Sequence, residues 1–290
     1  MVGIVLALLS AVFIGFSQIS LKKSYKKLPS SAAFLFDSIF GLLIWVPLAI
    51  FMGISSGASF WEAFIFAVIS AILSEAVVFY ALSRGELAVT ATIIATYPVY
   101  TILFSRFINQ EILSLNILFF VILAILGSII ASLPNKQKKN RLVVNKTIFW
   151  PFIAAVCIGL SDTISKGYIN RSQDFSFLFM LGLVQIPIAL AYLKMEKQSL
   201  MKSIEGVLTK FKECRFSLLG GLFNILGTGF LWLSFSYAPA SIASPITGCN
   251  GAITVLLSRF LLKEKISKQK YLGIFLAFVG VIGIAILKKS

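Results

Sequence analysis

The chain has 290 residues, 58% of them apolar and only 13% charged, with a mean hydropathy of +0.95, 27 Phe and no His. A soluble domain carries about 45–50% apolar and about 25% charged residues, so this chain has too little polar side chain to cover a water-facing surface. The composition is that of an integral membrane protein, and it excludes a soluble enzyme and any chemistry that needs histidine as base, metal ligand or pH switch.

A helix needs about 20 mostly apolar residues to cross about 30 Å of hydrocarbon, where no water satisfies its backbone amides. Ten segments qualify. In chain order they cover 2–21, 31–53, 61–83, 86–108, 113–133, 148–169, 175–193, 216–237, 240–262 and 270–287. Segment 1 reads as a retained helix: no positive residue precedes it, and its polar end Ser20-Leu21-Lys22-Lys23 is not a small-residue cleavage site. Lys22, Lys23, Lys26, Lys27 and Pro29 close it, a basic linker over 135–147 follows segment 5, and a Lys-rich stretch from Lys194 to Arg215 follows segment 7. The apolar runs lack the period-two alternation of lipid-facing strands, so a barrel is excluded. Cys157, Cys214 and Cys249 lie far apart without zinc or redox spacing and read as packing residues.

With Lys and Arg at segment ends assigned to the adjoining loop or tail, the loops after segments 1, 3, 5, 7 and 9 hold 21 of the 26, and the other side holds 5. Lys and Arg are enriched in cytoplasmic loops, which puts both termini outside the cytoplasm. The same bias explains the net charge of +15 as topology and contact with anionic lipid, not nucleic-acid binding.

The two halves repeat. A shift of 153 lays Ile93, Thr101, Leu103, Ser105, Arg106, Phe107, Glu111 and Ser114 on Ile246, Thr254, Leu256, Ser258, Arg259, Phe260, Glu264 and Ser267, and Ala124 and Gly127 on Ala277 and Gly280. A shift of 144 lays Gly15, Ser17 and Lys22 on Gly159, Ser161 and Lys166. Each unit holds five segments, an odd number, so the second copy is inverted relative to the first. The expected architecture is an all-α membrane protein with ten transmembrane helices as two inverted five-helix repeats, 1–134 and 148–290. Inverted repeats are common among secondary transporters, with the cargo site near the midplane between the copies.

In these features the chain resembles the EamA family of the drug/metabolite transporter superfamily over nearly its whole length. The residues that carry the resemblance are the segments ending in Arg106 to Glu111 and Arg259 to Glu264, each followed by a glycine-bearing segment (Gly127; Gly273 and Gly280). The resemblance implies a small-metabolite carrier or exporter with a central cavity lined by both halves. Departures are Asp37 as the nearest charge in segment 2, where many members carry Arg, and Gly251 at the place equivalent to Pro98, with Pro245 six residues earlier. Characterised ten-helix bacterial relatives are described with both termini inside, opposite to the charge count here.

Polar groups at mid-depth cost about 2.5–3.5 kcal/mol per charge on insertion scales, so those present usually face a cavity or a partner. They are Glu75, Tyr97, Asp162, Gln185, Asn224 and Asn250. Segment 9 aligns Thr247, Asn250, Thr254 and Ser258 on one face, and segment 4 repeats the stripe as Tyr97, Thr101 and Ser105. These stripes fit opposite walls of one cavity, or hydroxyls bonding the carbonyl four residues back. Glu75 has three readings: a proton-coupling group, an acidic and aromatic-walled cation pocket with Tyr80, Tyr97 and Trp232, or a fixed pair with a buried donor such as Asn224. Asp162 stands four residues before Lys166, a spacing that favours an intrahelical ion pair over a coupling role. Lys22 and Lys166 snorkel to headgroups or meet an anionic group at the cavity mouth. Pro98, Gly248 and Gly251 loosen segments 4 and 9 where a moving wall would bend.

The expected substrate contacts are therefore Glu75, Tyr80, Tyr97, Asn224, Trp232, Thr247 and Asn250, with Glu75, Asp162, Pro98 and Gly251 for coupling or gating. No catalytic residue, metal ligand or cofactor is expected. The reading is a multi-pass plasma (inner) membrane carrier, monomer or homodimer. Its cargo is a small polar metabolite such as an amine, quaternary ammonium compound or amino acid, moved with proton coupling, by exchange or by facilitated diffusion. No Gly-Lys-Ser/Thr phosphate loop is present to harness ATP directly. A nucleotide-sugar or organic-anion exchanger would need cavity Lys or Arg, and an intramembrane lipid-modifying enzyme would need a nucleophile and base, or metal ligands, at one depth.

Overall fold

The computed structural model describes residues 1–24, 29–54, 58–84, 90, 93–133, 149–172, 175–209, 211–261, 263 and 266–287. The helices are α1 (Val2–Ser24), α2 (Ser30–Met52), α3 (Ala58–Ser70), α4 (Val77–Arg84), α5 (Tyr97–Ile108), α6 (Leu115–Ser132), α7 (Phe149–Ser172), α8 (Ser176–Met195), α9 (Leu200–Thr209), α10 (Phe211–Phe235), α11 (Ala240–Gly248), α12 (Asn250–Leu261) and α13 (Lys268–Leu287). A π-helical stretch, Ala71–Ala76, joins α3 to α4 into one rod, and Val77 N–H donates to Ile72 O across its wider turn. Among the described residues there is no strand.

Among the described residues nine helical spans are long and apolar enough to cross a membrane, where ten were expected. The difference lies in segment 4. Residues 85–89 and 91–92 fall outside the described residues, and what is described is a helical turn at 93–94, a break at Ala95 and Thr96, and the 12-residue α5. The 135–147 linker, Glu264 and the side chain of Lys22 also lie outside the described residues.

Local chemistry sets the ends of these helices, and it does so twice. Ser114 Oγ accepts from Ile117 N–H at 3.4 Å to cap α6, and Ser267 Oγ accepts from Lys270 N–H at 3.4 Å to cap α13. Gln110 and Lys263, 153 residues apart, both take left-handed backbone at φ 54°. Pro29 and Pro239, extended at ψ 149° and 146°, precede α2 and α11.

The packing is reciprocal. α6 lies along α13, α2 along α8, and α5 against α11; α1 packs on α10 as α7 packs on α3 and α4, and α1 packs on α12 as α7 packs on α5. Exchanging the halves carries the α6–α13 and α2–α8 contacts onto themselves and the two contacts of α1 onto those of α7. At the α6–α13 seam, a Cβ at Gly127 would run into the Ala277 backbone, and a Cβ at Gly280 would stand 2.5 Å from Ala124 N. Ala124 and Ala277 are repeat partners, as are Gly127 and Gly280, so each residue meets the partner of its own neighbour. Such self-complementary contact marks a two-fold relation, and small residues let backbones approach where no hydrophobic effect drives helices together.

The outside of the molecule is apolar: Leu43, Phe51, Trp61, Phe119 and Phe275 are more than half exposed. The inside holds Asp37, Glu75, Asp162, Gln185 and many hydroxyls, all buried. Only hydrocarbon suits such a surface.

Gly127→Ala and Gly280→Ala should each push α6 and α13 apart. Overpacking costs about 1–3 kcal/mol, beyond the ~1 kcal/mol that alanine regains in helix propensity. The expected result is a lower midpoint of thermal unfolding in detergent for both variants, and an unchanged midpoint would contradict the close seam.

Candidate functional site

Three rods, α2, the α3–α4 rod and α10, bring two carboxyl groups to one amide. Asn224 Nδ2 donates to Asp37 Oδ1 at 3.1 Å and to Glu75 Oε2 at 3.5 Å. Asp37 is wholly buried and Glu75 is 3% exposed, while Asn224 is half-buried. Asp37 Oδ2 and Glu75 Oε1 are buried with no hydrogen-bond partner among the described residues. Glu75 sits inside the π-helical stretch, a distortion that recurs at functional sites.

Gln185 on α8 completes the group. It is 1% exposed, and neither its Oε1 nor its Nε2 has a partner among the described residues. Gly41, one turn beyond Asp37 on the same face of α2, makes room for it: a Cβ there would stand 2.7 Å from Gln185 Oε1 and 3.2 Å from Ile225 Cδ1, beside Asn224. Gly221, one turn before Asn224, lies against the Asp37 backbone.

A second node joins α5, α7 and α11. Asp162 Oδ2 accepts from Ser244 Oγ at 2.6 Å and from Thr101 Oγ1 at 3.4 Å, and Tyr97 Oη donates to Ser244 O at 3.1 Å. The intrahelical spacing pointed to Lys166 as the partner of Asp162; the structure instead supplies two hydroxyls, while Lys166 Nζ donates to Phe235 O at 2.5 Å and Asn170 Oδ1 at 3.5 Å. The node has a counterpart in the other half. Thr254 Oγ1 donates to Gln18 Oε1 at 2.8 Å, and Gln18 Nε2 donates to Asn250 Oδ1 at 3.3 Å. Thr254 and Asn250 are the repeat partners of Thr101 and Tyr97, and the 144 shift that pairs Gly15 with Gly159 pairs Gln18 with Asp162. Gly15 packs on Ile253 and Thr254 as Gly159 packs on Tyr100 and Thr101.

Both nodes adjoin broken helices. The break at Thr96 and the break at Cys249 are 153 residues apart; Thr96 N–H donates to Ile93 O at 3.0 Å and Cys249 N–H to Ile246 O at 3.1 Å. Ser128 Oγ on α6 donates to Gly248 O at 2.6 Å, satisfying a carbonyl at the second break. Pro98 lies against Gly248, and Gly251 lies against Ser128 and Ser132. At the end of α11, Glu111 accepts from Ala240 N–H at 3.0 Å and Ser241 N–H at 2.9 Å, beside a 440 Å³ cleft that includes Lys166, Asn109 and Asn170.

Of the residues singled out by sequence, Glu75 and Asn224 meet directly, Tyr97 and Asp162 share Ser244, and Asn250 bonds Gln18. Thr247 Oγ1 donates to Ala7 O at 3.2 Å. The aromatic residues go elsewhere: Tyr80 packs on Trp150 at 4.8 Å between ring centroids, and Trp232 on Phe177 at 5.6 Å. Asp37, Gln18 and Ser244 were not foreseen as site residues. Asp37 carried a signal as the lone charge in segment 2, and Gln18 was within reach of the 144 shift.

The model of the EamA-like transporter family matches residues 1–133 and again 145–286. The chain belongs to the EamA-like transporter family. It is thus a membrane transporter by family, and not an enzyme. It is 36% identical over 78 residues to a probable magnesium transporter, NIPA9, of Arabidopsis thaliana, covering 27% of this chain and 23% of that one. It is 27% identical over 117 residues to the uncharacterized transporter YyaM of Bacillus subtilis, covering 40% and 35%. Over 143 residues it is 26% identical to the uncharacterized protein MJ1333.1 of Methanocaldococcus jannaschii, covering 49% of this chain and 98% of that one. The first two matches thus span about a quarter to a third of those relatives' length. A solved crystal structure shares the EamA chain's fold with a TM-score of 0.75 at 10% identity, over 99% of this chain and 97% of that one.

Asn224→Leu removes the donor shared by two buried carboxyl groups and should lower stability by about 1–3 kcal/mol, the usual cost of stranding a buried polar group. In a double-mutant cycle of thermal unfolding, Asn224→Leu and Asp37→Asn should couple by about 0.5–3 kcal/mol. Strict additivity would mean that the Asp37–Asn224 bond contributes nothing.

Proposed function

We propose that this protein is a secondary carrier of a small polar metabolite that bears a positively charged nitrogen: an amine, quaternary ammonium compound or amino acid. It works across the plasma (inner) membrane by alternating access. The observation that carries this reading is the pair of buried carboxyl groups, Asp37 and Glu75, bridged by the neutral amide of Asn224 and each left with an unpartnered oxygen. A buried acidic pair is a poor place for an anion and a good one for a cation. The match to a probable magnesium transporter, though it covers 78 residues, is in keeping with cationic cargo.

The architecture we propose is ten transmembrane helices in two inverted five-helix repeats, 1–134 and 148–290, with 135–147 as a basic linker. Three observations support it: the reciprocal helix contacts, the self-complementary α6–α13 seam, and breaks at repeat-equivalent positions. Discontinuous helices at matching places in two halves are a feature of carriers that rock about a central site. Pro98 and Gly251, beside those breaks, are the hinge positions, and Asp162 is a coupling group. Transport runs by proton coupling, exchange or facilitated diffusion, in a monomer or homodimer.

A thermal-shift screen of the purified protein against amines, amino acids, nucleotide sugars and organic anions tests the cargo class, because a ligand of the folded state stabilises it by mass action. Cations at 100 times their Kd should stabilise the folded wild type by about 2.7 kcal/mol and so raise its unfolding midpoint, and Glu75→Gln should abolish the effect. Stabilisation by anions alone would overturn the cation reading.

The charge bias over the loops also gives an orientation, with both termini outside the cytoplasm. A single cysteine introduced at Lys138, with the native three replaced, should resist an impermeant maleimide in intact cells and react once the cells are opened. Rapid labelling from outside would reverse the orientation.

A further inference from the structure

We infer that the group this carrier takes at Asp37, Glu75 and Gln185 is an ammonium bearing N–H donors, that of a primary amine, and not a quaternary ammonium or a bare metal ion. The inference rests on the cation reading above and narrows it.

Among the described residues the site has more open acceptors than donors: Gln185 Nε2 is the one unpartnered nitrogen of the group, against three oxygens. Asp37 Oδ2, Glu75 Oε1 and Gln185 Oε1 are buried acceptors without a partner among the described residues. They stand on α2, the π-helical stretch and α8, and α8 packs against both of the others. A buried acceptor left unmade costs free energy that a cargo donor recovers on binding. A primary ammonium has three N–H groups and no acceptor, which matches three oxygens in number and polarity. A trimethylated nitrogen carries the same charge with no donor, so it would keep these oxygens unbonded while excluding other partners.

The site already binds a nitrogen donor of its own. One amide nitrogen, Asn224 Nδ2, bridges both carboxyl groups at 3.1 and 3.5 Å. That is the bond type an ammonium would make with the remaining oxygens, strengthened by its charge. Quaternary ammonium groups are instead held by aromatic faces, and the rings within the reach of the sequence argument are engaged apart: Tyr80 on Trp150, Trp232 on Phe177, and Tyr97 bonded through its hydroxyl to Ser244 on α11. A hard divalent ion takes six or more oxygens; three protein oxygens stand open here, and the described residues hold no group of three His, Cys, Asp or Glu side chains.

Two features of the backbone serve this arrangement. Gly41 lets Gln185 reach across to α2, since a Cβ there would stand 2.7 Å from Oε1. The π-helical stretch holds Glu75 off the regular helical register.

The experiment measures binding to the full-length protein in detergent by thermal shift and by direct titration. The probes are hexylamine, hexyltrimethylammonium and magnesium chloride at equal ionic strength. Hexylamine should bind at least about tenfold more tightly than its trimethyl analogue, the factor expected from one lost hydrogen bond to a charged group. Gly41→Ala, which displaces Gln185 and spares both carboxyl groups, should erode that preference, and Asp37→Asn should weaken hexylamine most. The wild-type comparison stands by itself if either variant fails to fold. Equal or tighter binding of the trimethyl compound overturns the donor inference and leaves the cation reading intact, as does stabilisation by magnesium alone. Binding of none of the three overturns the inference and the cation reading together.

Discussion

Hydrocarbon offers no hydrogen bonds, and the rest of this structure follows from where the chain finds them internally. Helices satisfy the backbone, and hydroxyls in the helices turn back on it: Ser38 donates to Phe34 O, Ser74 to Ser70 O, Thr228 to Asn224 O and Ser132 to Ser128 O, each four residues earlier. Some of the hydroxyls inside the molecule are therefore self-contained, while others, such as Ser70 with Ser165 and Thr247 with Ala7 O, tie one helix to another. Where a helix is interrupted, a neighbour must supply the missing donor. Ser128 does so for Gly248 at the α11–α12 break. A break that is supported from a neighbouring helix can persist, and it is also a place where the two pieces can move separately.

Against that background the two buried acidic nodes differ in kind. Asp162 has donors in hand, with Ser244 and Thr101 both on one oxygen. Asp37 and Glu75 have one donor between them, and Gln185 beside them has none among the described residues. A chain under pressure to satisfy every buried polar group leaves three acceptors wanting at one junction of helices, and unsatisfied groups of that kind in native proteins call for an explanation. Cargo with N–H groups is the explanation we favour. Asp162, by contrast, ties α7 to α5 and α11 and is placed to sense how those helices stand relative to one another.

Much of this fold was legible in the sequence because its signals are long. An apolar run of twenty residues has few alternatives in a bilayer, and a repeat holding Ser-Arg-Phe and Glu at fixed spacing extends over whole segments. Segment 4 was the exception: Tyr97 to Ile108 forms a helix, but the break at Ala95 and Thr96 shortens it, and a window over composition does not register a break. The site was harder to read. Glu75 and Asn224 stood out as polar residues at depth, yet which carboxyl shares an amide is decided by the rotation of three helices about their axes, and an apolar-all-round segment does not reveal its rotation. Asp37 was therefore noticed as a departure and not as a partner of Glu75. The aromatic cage failed to assemble for the same reason: Tyr80 and Trp232 lie on segments that were correctly placed, but they face Trp150 and Phe177.

Duplication supplied two copies of the node at Asp162, and the two have diverged. The scaffold has stayed alike, with Gly15 and Gly159 packed on matching residues and Thr254 and Thr101 donating to matching positions. The acceptor has changed, an amide at Gln18 and a carboxyl at Asp162. An amide offers the same hydrogen bonds at any pH, whereas a carboxyl gains a donor when it takes a proton and then can no longer accept from two hydroxyls on equal terms. In a carrier that rocks between mirror-related states, identical nodes would balance the two states against each other. One node thus holds an amide that does not titrate and the other a carboxyl that can, on the side of the molecule where α11 is capped by Glu111. The asymmetry thus lies in the side chains, Asp162 against Gln18 and Tyr97 against Asn250, while the glycine packing beside them is shared by both halves.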